Sequence, residues 1–281
     1  MILRLGLPKG RLYDEVAKLI DDAGFQLSKN GRCYRPYIND KEIEIKILKP
    51  QNIPKLVESG SEDLAFVGYD WIVEQGVKIV ELLDLKFNPV SIVAATQKDK
   101  LISKSKKIRV ASEYEKISKE FLDKEGFDYT FFKSFGATEV FIPEDADLII
   151  DNSSTGKTLT DNNLAVIKVL LQSSTRLIAN KDSLKDPWKK KKIDDFLIIL
   201  NSILEARKRL LIEMNIGEKD MERLIPLLPC MKSPTVSKLY GNNGYAVKIA
   251  VKKEEIGKLI PFLKENGATD ILVFKLDKVM P

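Results

Sequence analysis

Asp147-Leu148-Ile149-Ile150-Asp151-Asn152-Ser153-Ser154-Thr155-Gly156-Lys157-Thr158-Leu159 is the most informative stretch of this 281-residue chain. Its apolar start predicts a buried strand over 147–150 that ends in an acid. A turn of small hydroxyl residues and glycine follows, and the spacing beyond it predicts a short helix over 157–162. Strand-to-helix junctions of this kind belong to α/β folds, in which ligands bind beyond the carboxyl ends of the strands. Backbone N–H groups at a helix start suit a phosphate, Gly156 allows close approach, and Ser154, Thr155 and Thr158 add hydroxyl donors. The tract is not a Walker A loop, which needs glycine where this chain has Asp151. An acid ahead of such a loop suits ribose hydroxyls, so the two together describe a pocket for a ribose 5′-phosphate. Taken alone, the loop is equally compatible with an ordinary capped turn.

Outward from this tract, strands are predicted over 89–95, 108–111 and 129–132 and over 166–173, the last continuing toward 177, with a helix over 113–125. Together they make a second α/β unit, 91–178. The N-terminal part, 1–90, reads strand 2–7, then Leu12, Val16, Leu19, Ile20 and Ala23 on one helix face, strand 41–48, helix 53–58 and strand 63–67. The order β-α-β-α-β predicts a mainly parallel sheet with helices on both faces. A long helix starts at Asp186-Pro187, an N-cap followed by a proline at the first helical position, and runs to about 208. Its Lys189–Lys192 run reads as a solvated face. It completes the first lobe through 179–208. The remainder, 209–281, reads strand 209–215, helix 219–227, strands 234–240 and 245–251, helix 253–266 closed by Gly267, and strand 271–276. That is a ferredoxin-like α+β order.

Composition narrows the chemistry. The net charge is +5, with 44% hydrophobic and 31% charged residues. Such a balance fits anionic small molecules and predicts no nucleic-acid partner. The chain contains no histidine, which excludes Ser-His and Cys-His catalysis and leaves any metal to oxygen ligands, as for Mg²⁺. Cys33 and Cys230 are far apart and read as reduced thiols. The N-terminus lacks a secretory apolar core and no tract approaches the ~20 apolar residues of a membrane span, so a soluble, cytoplasmic protein is expected.

Two further junctions carry candidate residues. In Leu7-Pro8-Lys9-Gly10-Arg11-Leu12, Lys9 and Arg11 flank a glycine and make a compact cationic site for phosphate oxygens, or plain surface charge. In Gly68-Tyr69-Asp70-Trp71, Asp70 either orients a base or ribose or caps the next helix. All three junctions lie at strand ends of two α/β units, whose facing edges form a cleft.

The ordered set LPKGRL, SGSEDLAFVGYD, DLIIDNSSTGKTL, SSTRLIANK, LPCMKSPTVSKL and GATDILVFKLDKVMP resembles the ATP phosphoribosyltransferase family in its long form. The resemblance covers essentially the whole chain. It implies a two-lobed catalytic core of the periplasmic-binding-protein type and a C-terminal regulatory domain of ACT-like build. It implies ATP and phosphoribosyl diphosphate as substrates, Mg²⁺ as cofactor, a homo-hexamer in equilibrium with a dimer, and inhibition by histidine. By motif, Asp151, Lys9 and Arg11 would serve catalysis. Ser154, Thr155, Gly156, Lys157 and Thr158 would hold the phosphoribosyl group. Glu139 would bind substrate, Lys49 and Asp70 would lie on the nucleotide side, and Ser233, Pro234 and Thr235 would belong to the histidine site. The resemblance leaves the metal ligands unassigned. Lys49 stands where the family often has arginine and Cys230 where it often has glycine. Around the loop, Glu144-Asp145 and Asn152-Ser153 also depart from the pattern. The alternatives are a non-catalytic two-lobed sensor of a small ligand and a transferase acting on another base.

Overall fold

The computed structural model describes residues 1–28, 33–241 and 243–280, so the last residue of the final motif, Pro281, lies outside it. The chain forms two compact units, one of residues 1–18 and 25–193 and one of residues 19–24 and 194–281. Among the described residues no helix is long and apolar enough to cross a membrane.

The chain opens with β1 (Leu3–Pro8), α1 (Arg11–Asp22), β2 (Ile43–Leu48), α2 (Ile53–Glu58), β3 (Leu64–Gly68), α3 (Tyr69–Gln75) and β4 (Val80–Asp84). As the heptad-like spacing predicts, Val16, Leu19 and Ile20 of α1 are fully buried. Next come β5 (Val90–Gln97), β6 (Ile108–Ser112), α4 (Glu115–Glu125), β7 (Tyr129–Lys133), β8 (Leu148–Ser153), α5 (Lys157–Asp161), β9 (Leu164–Ser173) and β10 (Thr175–Ala179). These strands make two five-stranded sheets, ordered β2-β1-β3-β10-β4 and β7-β6-β8-β5-β9. In each, four strands run in one direction and a single strand, β10 in the first and β5 in the second, runs against them. The fold is therefore mixed α/β, with sheets mainly of one strand direction, as the strand order predicts for the first, each interrupted by one reversed strand.

Two expectations change here. The apolar run expected to continue from 166 toward 177 is cut at Ser174. Its first part, β9, pairs with β5, while its second part, β10, pairs with β3 and β4 of the other sheet. Strand β10 (Thr175–Ala179) thus joins the first sheet although nearly all of it falls within the range 91–178 read as the second unit. The return connection, between β4 and β5, runs alongside: Leu85 N–H donates to Thr175 O and Thr175 N–H to Phe87 O, both at 3.0 Å. Strand β8 also runs past its expected end at 150, because Asp151, Asn152 and Ser153 pair with Val93, Ile92 and Ser91.

Helix α6 (Pro187–Ala206) starts as expected, with Asp186 Oδ1 accepting from Lys189 N–H at 2.9 Å. Its lysine run is not simply solvated. Lys189 Nζ reaches Asp63 Oδ1 at 2.7 Å, and Lys192 Nζ bridges Asp40 and Glu42 at 2.8 and 2.6 Å. The Asp63 side chain is completely buried. It also accepts from Arg4 N–H (2.9 Å), Arg4 Nε (3.2 Å) and Ser183 Oγ (2.6 Å). Burial alone would raise its pKa, but these donors hold it down at about 2.

The last part of the chain comprises β11 (Arg209–Gly217), α7 (Glu218–Leu224), β12 (Thr235–Lys238), β13 (Gly244–Lys252), α8 (Ile256–Glu265) and β14 (Ala268–Lys275). The order β-α-β-β-α-β is the one read from the sequence. The sheet is β12-β13-β11-β14 and wholly antiparallel. Ile212, Met214 and Ile216 of β11 and Val247, Ile249 and Val251 of β13 form one core with Leu224 of α7 and Leu259 and Leu263 of α8. Both helices are shorter than expected. Pro226 follows α7 in a 3-10 turn, and a 3-10 turn over Lys253–Glu255 precedes α8.

Asp63→Ala is expected to cost about 2–3 kcal/mol, because it removes the shared acceptor of Arg4, Lys189 and Ser183, whose cations remain partly open to water. In the wild type, the carboxyl lies below its ordinary 3.8, so its contribution is full above about pH 4 and is lost as pH falls through about 2. Urea unfolding curves over that range, for both proteins, measure a stability term of about 2 kcal/mol that only the wild type loses.

Candidate functional site

Lys9 and Arg11 follow β1, Asp70 and Trp71 open α3 directly after β3, and Tyr114 lies between β6 and α4. Each sits at the carboxyl end of a parallel strand, where the next helix turns the chain back. Together with Asn152 they line one cavity of about 320 Å³, beside Ser173 and Ser174 at the crossing between the sheets.

At its floor, Asp70 is 5% exposed. Its Oδ1 accepts from Ser173 Oγ at 2.7 Å and its Oδ2 from Tyr114 OH at 2.8 Å. Ser173 Oγ in turn accepts from Asp70 N–H at 3.0 Å. Gly68 is required by this arrangement, since a methyl group there would overlap Asp70 Oδ1. Trp71 and Tyr114 stack with ring centroids 4.8 Å apart and planes at 27°. Burial, and then the Asp70 charge, push the Tyr114 phenol far above its usual pKa, so it stays a neutral donor. Of the alternatives for Asp70, capping and ligand orientation, neither describes it fully: both carboxyl oxygens are already engaged by the protein.

Asp151 lies within β8, partly buried, not at a strand tip. Its Oδ1 accepts from Asn152 N–H at 2.6 Å and Asn152 Nδ2 at 3.1 Å. Burial raises its pKa to about 6, with Asn152 N–H and Thr138 opposing and the charges of Glu139 and Glu113 reinforcing. Glu139, in a 3-10 turn over Thr138–Phe141, is thus an electrostatic neighbour of Asp151. Ser154 and Thr155 are exposed in the turn, and Gly156 (φ +75°) begins α5 with open space where a Cβ would stand. Lys157 and Thr158 are exposed on α5, which Leu159 anchors. Helix α5 has only five residues, so its dipole is weak and the donors this turn offers are its own N–H and O–H groups.

Lys49 precedes a 3-10 turn at the end of β2, next to the cavity-lining Pro50. Ser233, Pro234 and Thr235 belong to the other unit, with Thr235 opening edge strand β12 opposite Lys248. Reading the sequence missed Tyr114, Trp71, Asn152 and Ser173. Tyr114 had a signal, since it occupies the same strand-to-helix position as Lys9 and Asp70; Ser173 had none apart from its place before the break at 174. Among the described residues no group of three or more carboxylates or thiols is placed to hold a metal by itself.

Comparison with known proteins fits this geometry. The family described as ATP phosphoribosyltransferase matches residues 49–202, and the HisG C-terminal domain matches 206–278. The chain is 38% identical to the ATP phosphoribosyltransferase of Pelotomaculum thermopropionicum, with all of both chains aligned. It is 37% identical to that of Thermodesulfovibrio yellowstonii, over all of this chain and 99% of the other. Among solved structures, the ATP phosphoribosyl transferase (HisG:HisZ) complex from Thermotoga maritima superposes with a TM-score of 0.67 at 24% identity. That match covers 73% of this chain and 99% of the other, and at such identity it speaks for the fold alone. Full-length likeness, the two matched domains and a cation-lined cavity at strand ends lead to one conclusion: this chain belongs to the ATP phosphoribosyltransferase family and performs the first step of histidine synthesis, transfer of a phosphoribosyl group to ATP.

Proposed function

We propose that the cavity beside Asp70 takes the nucleotide and that the adjoining 151–158 segment takes the phosphoribosyl group. The observation that carries this is the gathering of Lys9 and Arg11 with Asp70, Tyr114 and Asn152 around one cavity, whose Asn152 is bonded to Asp151. In the transfer, the lone pair of adenine N1 forms the bond to ribose C1 while the C1–O bond to pyrophosphate breaks. N1 carries no proton to remove, so a chain without histidine suffices, and the protein works by alignment and charge. Lys9 and Arg11 hold phosphate oxygens, with Lys49 contributing a point charge on the nucleotide side. Asp151 accepts hydrogen bonds from ribose hydroxyls. Ser154, Thr155, Lys157 and Thr158, with the backbone at Gly156, hold the 5′-phosphate. Asp70 fixes the Tyr114 hydroxyl at the nucleotide side.

Mg²⁺ fits this donor set. A magnesium ion keeps waters and takes one or two carboxylates plus substrate phosphates, and Asp151 with Glu139 offers such a pair whose mutual repulsion a cation relieves. Bound there, it would neutralise charge on the departing diphosphate.

The core is read as two lobes of the periplasmic-binding-protein type, one per sheet, with 85–89 and Ser174 as the crossings. The antiparallel sheet of 209–281, in ferredoxin-like order, is read as an ACT-like regulatory domain with histidine bound near Ser233, Pro234 and Thr235. A dimer in equilibrium with a hexamer and a cytoplasmic location complete the reading, both in keeping with a feedback-controlled biosynthetic enzyme.

Pyrophosphate release from ATP and phosphoribosyl diphosphate measures the assignments. Thr158→Ala is expected to raise KM for phosphoribosyl diphosphate about 10-fold or more; unchanged kinetics would count against the loop. Asp151 acts as a carboxylate, so this KM is expected to rise as pH falls below about 6 in the wild type and to stay flat in Asp151→Asn. Because the folded protein raises this acid's pKa, Asp151 favours the fold when protonated and opposes it as pH rises through 6. Asp151→Asn is therefore expected to gain up to about 3 kcal/mol of stability at pH 8 while losing turnover; melting temperatures at pH 5 and pH 8 check the sign. Ser233→Ala with Thr235→Ala is expected to abolish inhibition by histidine and keep basal turnover, read in the same assay.

A further inference from the structure

We propose that Tyr34 is a positioning residue for the nucleotide's polyphosphate, holding the Lys9 ammonium at the cavity and donating its own hydroxyl proton to a phosphate oxygen. The proposal rests on the reading that Lys9 faces nucleotide phosphates. Tyr34 lies far from Lys9 in sequence, yet its OH accepts from Lys9 Nζ at 2.8 Å. The same ammonium stands 5.0 Å from the Tyr34 ring centroid. One contact restrains Lys9 by a hydrogen bond and the other by the ring's quadrupole.

The backbone explains why the pair meets. Tyr34 O accepts from Ile47 N–H at 2.8 Å, and Lys9 N–H donates to Leu48 O at 2.7 Å. Both residues are thus pinned to the end of β2, and Lys49 follows directly. Two cations gather about one phenol: its pKa is lowered, first by the Lys9 hydrogen bond and charge and then by Lys49. The ring is 54% exposed, so it is not there to fill a core. A phenol that accepts from an ammonium keeps its proton free to donate, and the chain Lys9 N–H to Tyr34 O–H to an anionic oxygen is polarised in one direction. Lysine alone is a flexible point charge, and Tyr34 supplies the fixed geometry it lacks.

The test uses steady-state kinetics of the full chain in four forms: wild type, Tyr34→Phe, Lys9→Met and the double variant. Tyr34→Phe keeps the ring and removes only the hydroxyl. It is expected to raise KM for ATP about 10-fold, the scale of one hydrogen bond to a charged group, with KM for phosphoribosyl diphosphate unchanged. The double variant is expected to lose less than the two single losses combined, because part of the Tyr34 effect runs through Lys9. An unchanged KM for ATP in Tyr34→Phe, an equal rise for both substrates, or additive losses in the double variant would each overturn the role of Tyr34. If Lys9→Met itself leaves KM for ATP unchanged, the underlying reading of Lys9 fails instead, and the proposal with it.

Discussion

The carboxyl of Asp70, almost wholly out of water, is the constraint around which the cavity is arranged. Burying such a group without partners costs several kcal/mol, so its two oxygens must be met, and Ser173 and Tyr114 meet them at 2.7 and 2.8 Å. These partners come from different places: Ser173 closes β9 beside the crossing, and Tyr114 follows β6 of the second sheet. One acid on the first sheet therefore ties together a strand end, a crossing and a helix start of the second. Gly68 follows from it, because any side chain there collides with the carboxyl. The Trp71–Tyr114 stack follows too, since the phenol cannot turn away without leaving Asp70 Oδ2 unpaired.

Charge is distributed around this floor with a clear division. The acids that shape the fold are saturated. Asp63 has Arg4, Ser183 and Lys189, and Asp147 has Arg109 and Lys100, which hold both well below the usual carboxylate range. Asp151 is the contrast. Burial lifts it to about 6, and its acidic neighbours add to the effect. A carboxyl held under such tension gains by meeting hydroxyl donors or a cation, the groups that the proposed sugar diphosphate and magnesium would bring. On the proposed role of Asp151, function there opposes stability, a common arrangement at sites built for a ligand.

Much of the fold was legible because it is local. The 3.6-residue spacing in α1, the alternation in β2 and the limits of α2 depend on neighbours within a few positions. What escaped depends on distant pairing. Val80–Asp84 reads as nothing in particular until Arg176 and Leu177 lie beside it, and the run from 164 to 179 is uniformly strand-like, although its halves serve different sheets. The lysines at 189 and 192 looked solvated because their acids, Asp63 and Asp40, are more than a hundred residues away. The site divides in the same way. Lys9, Arg11, Asp70 and the 151–158 segment each lie at a recognisable strand end with a glycine close by in sequence, whereas Tyr34 reaches Lys9 only because both hang on the end of β2.

If the turn after β8 holds the phosphate as proposed, the position of Asp151 inside β8 changes how it must work. Had the strand ended at 150, the acid and the hydroxyls would share one flexible loop, and α5 would supply the anion site. Pairing through Ser153 instead makes Asp151 rigid and shortens the turn to Ser154, Thr155 and Gly156. Five helical residues give little dipole, and Gly156 holds the turn in a left-handed backbone conformation. On the proposed reading, affinity for a phosphate there would come from the turn's own donors, so it would depend on turn geometry more than on helix length. Lengthening α5 would add little, while a side chain with a Cβ at Gly156, in a backbone conformation that L residues resist, would undo the cradle without touching a single polar group.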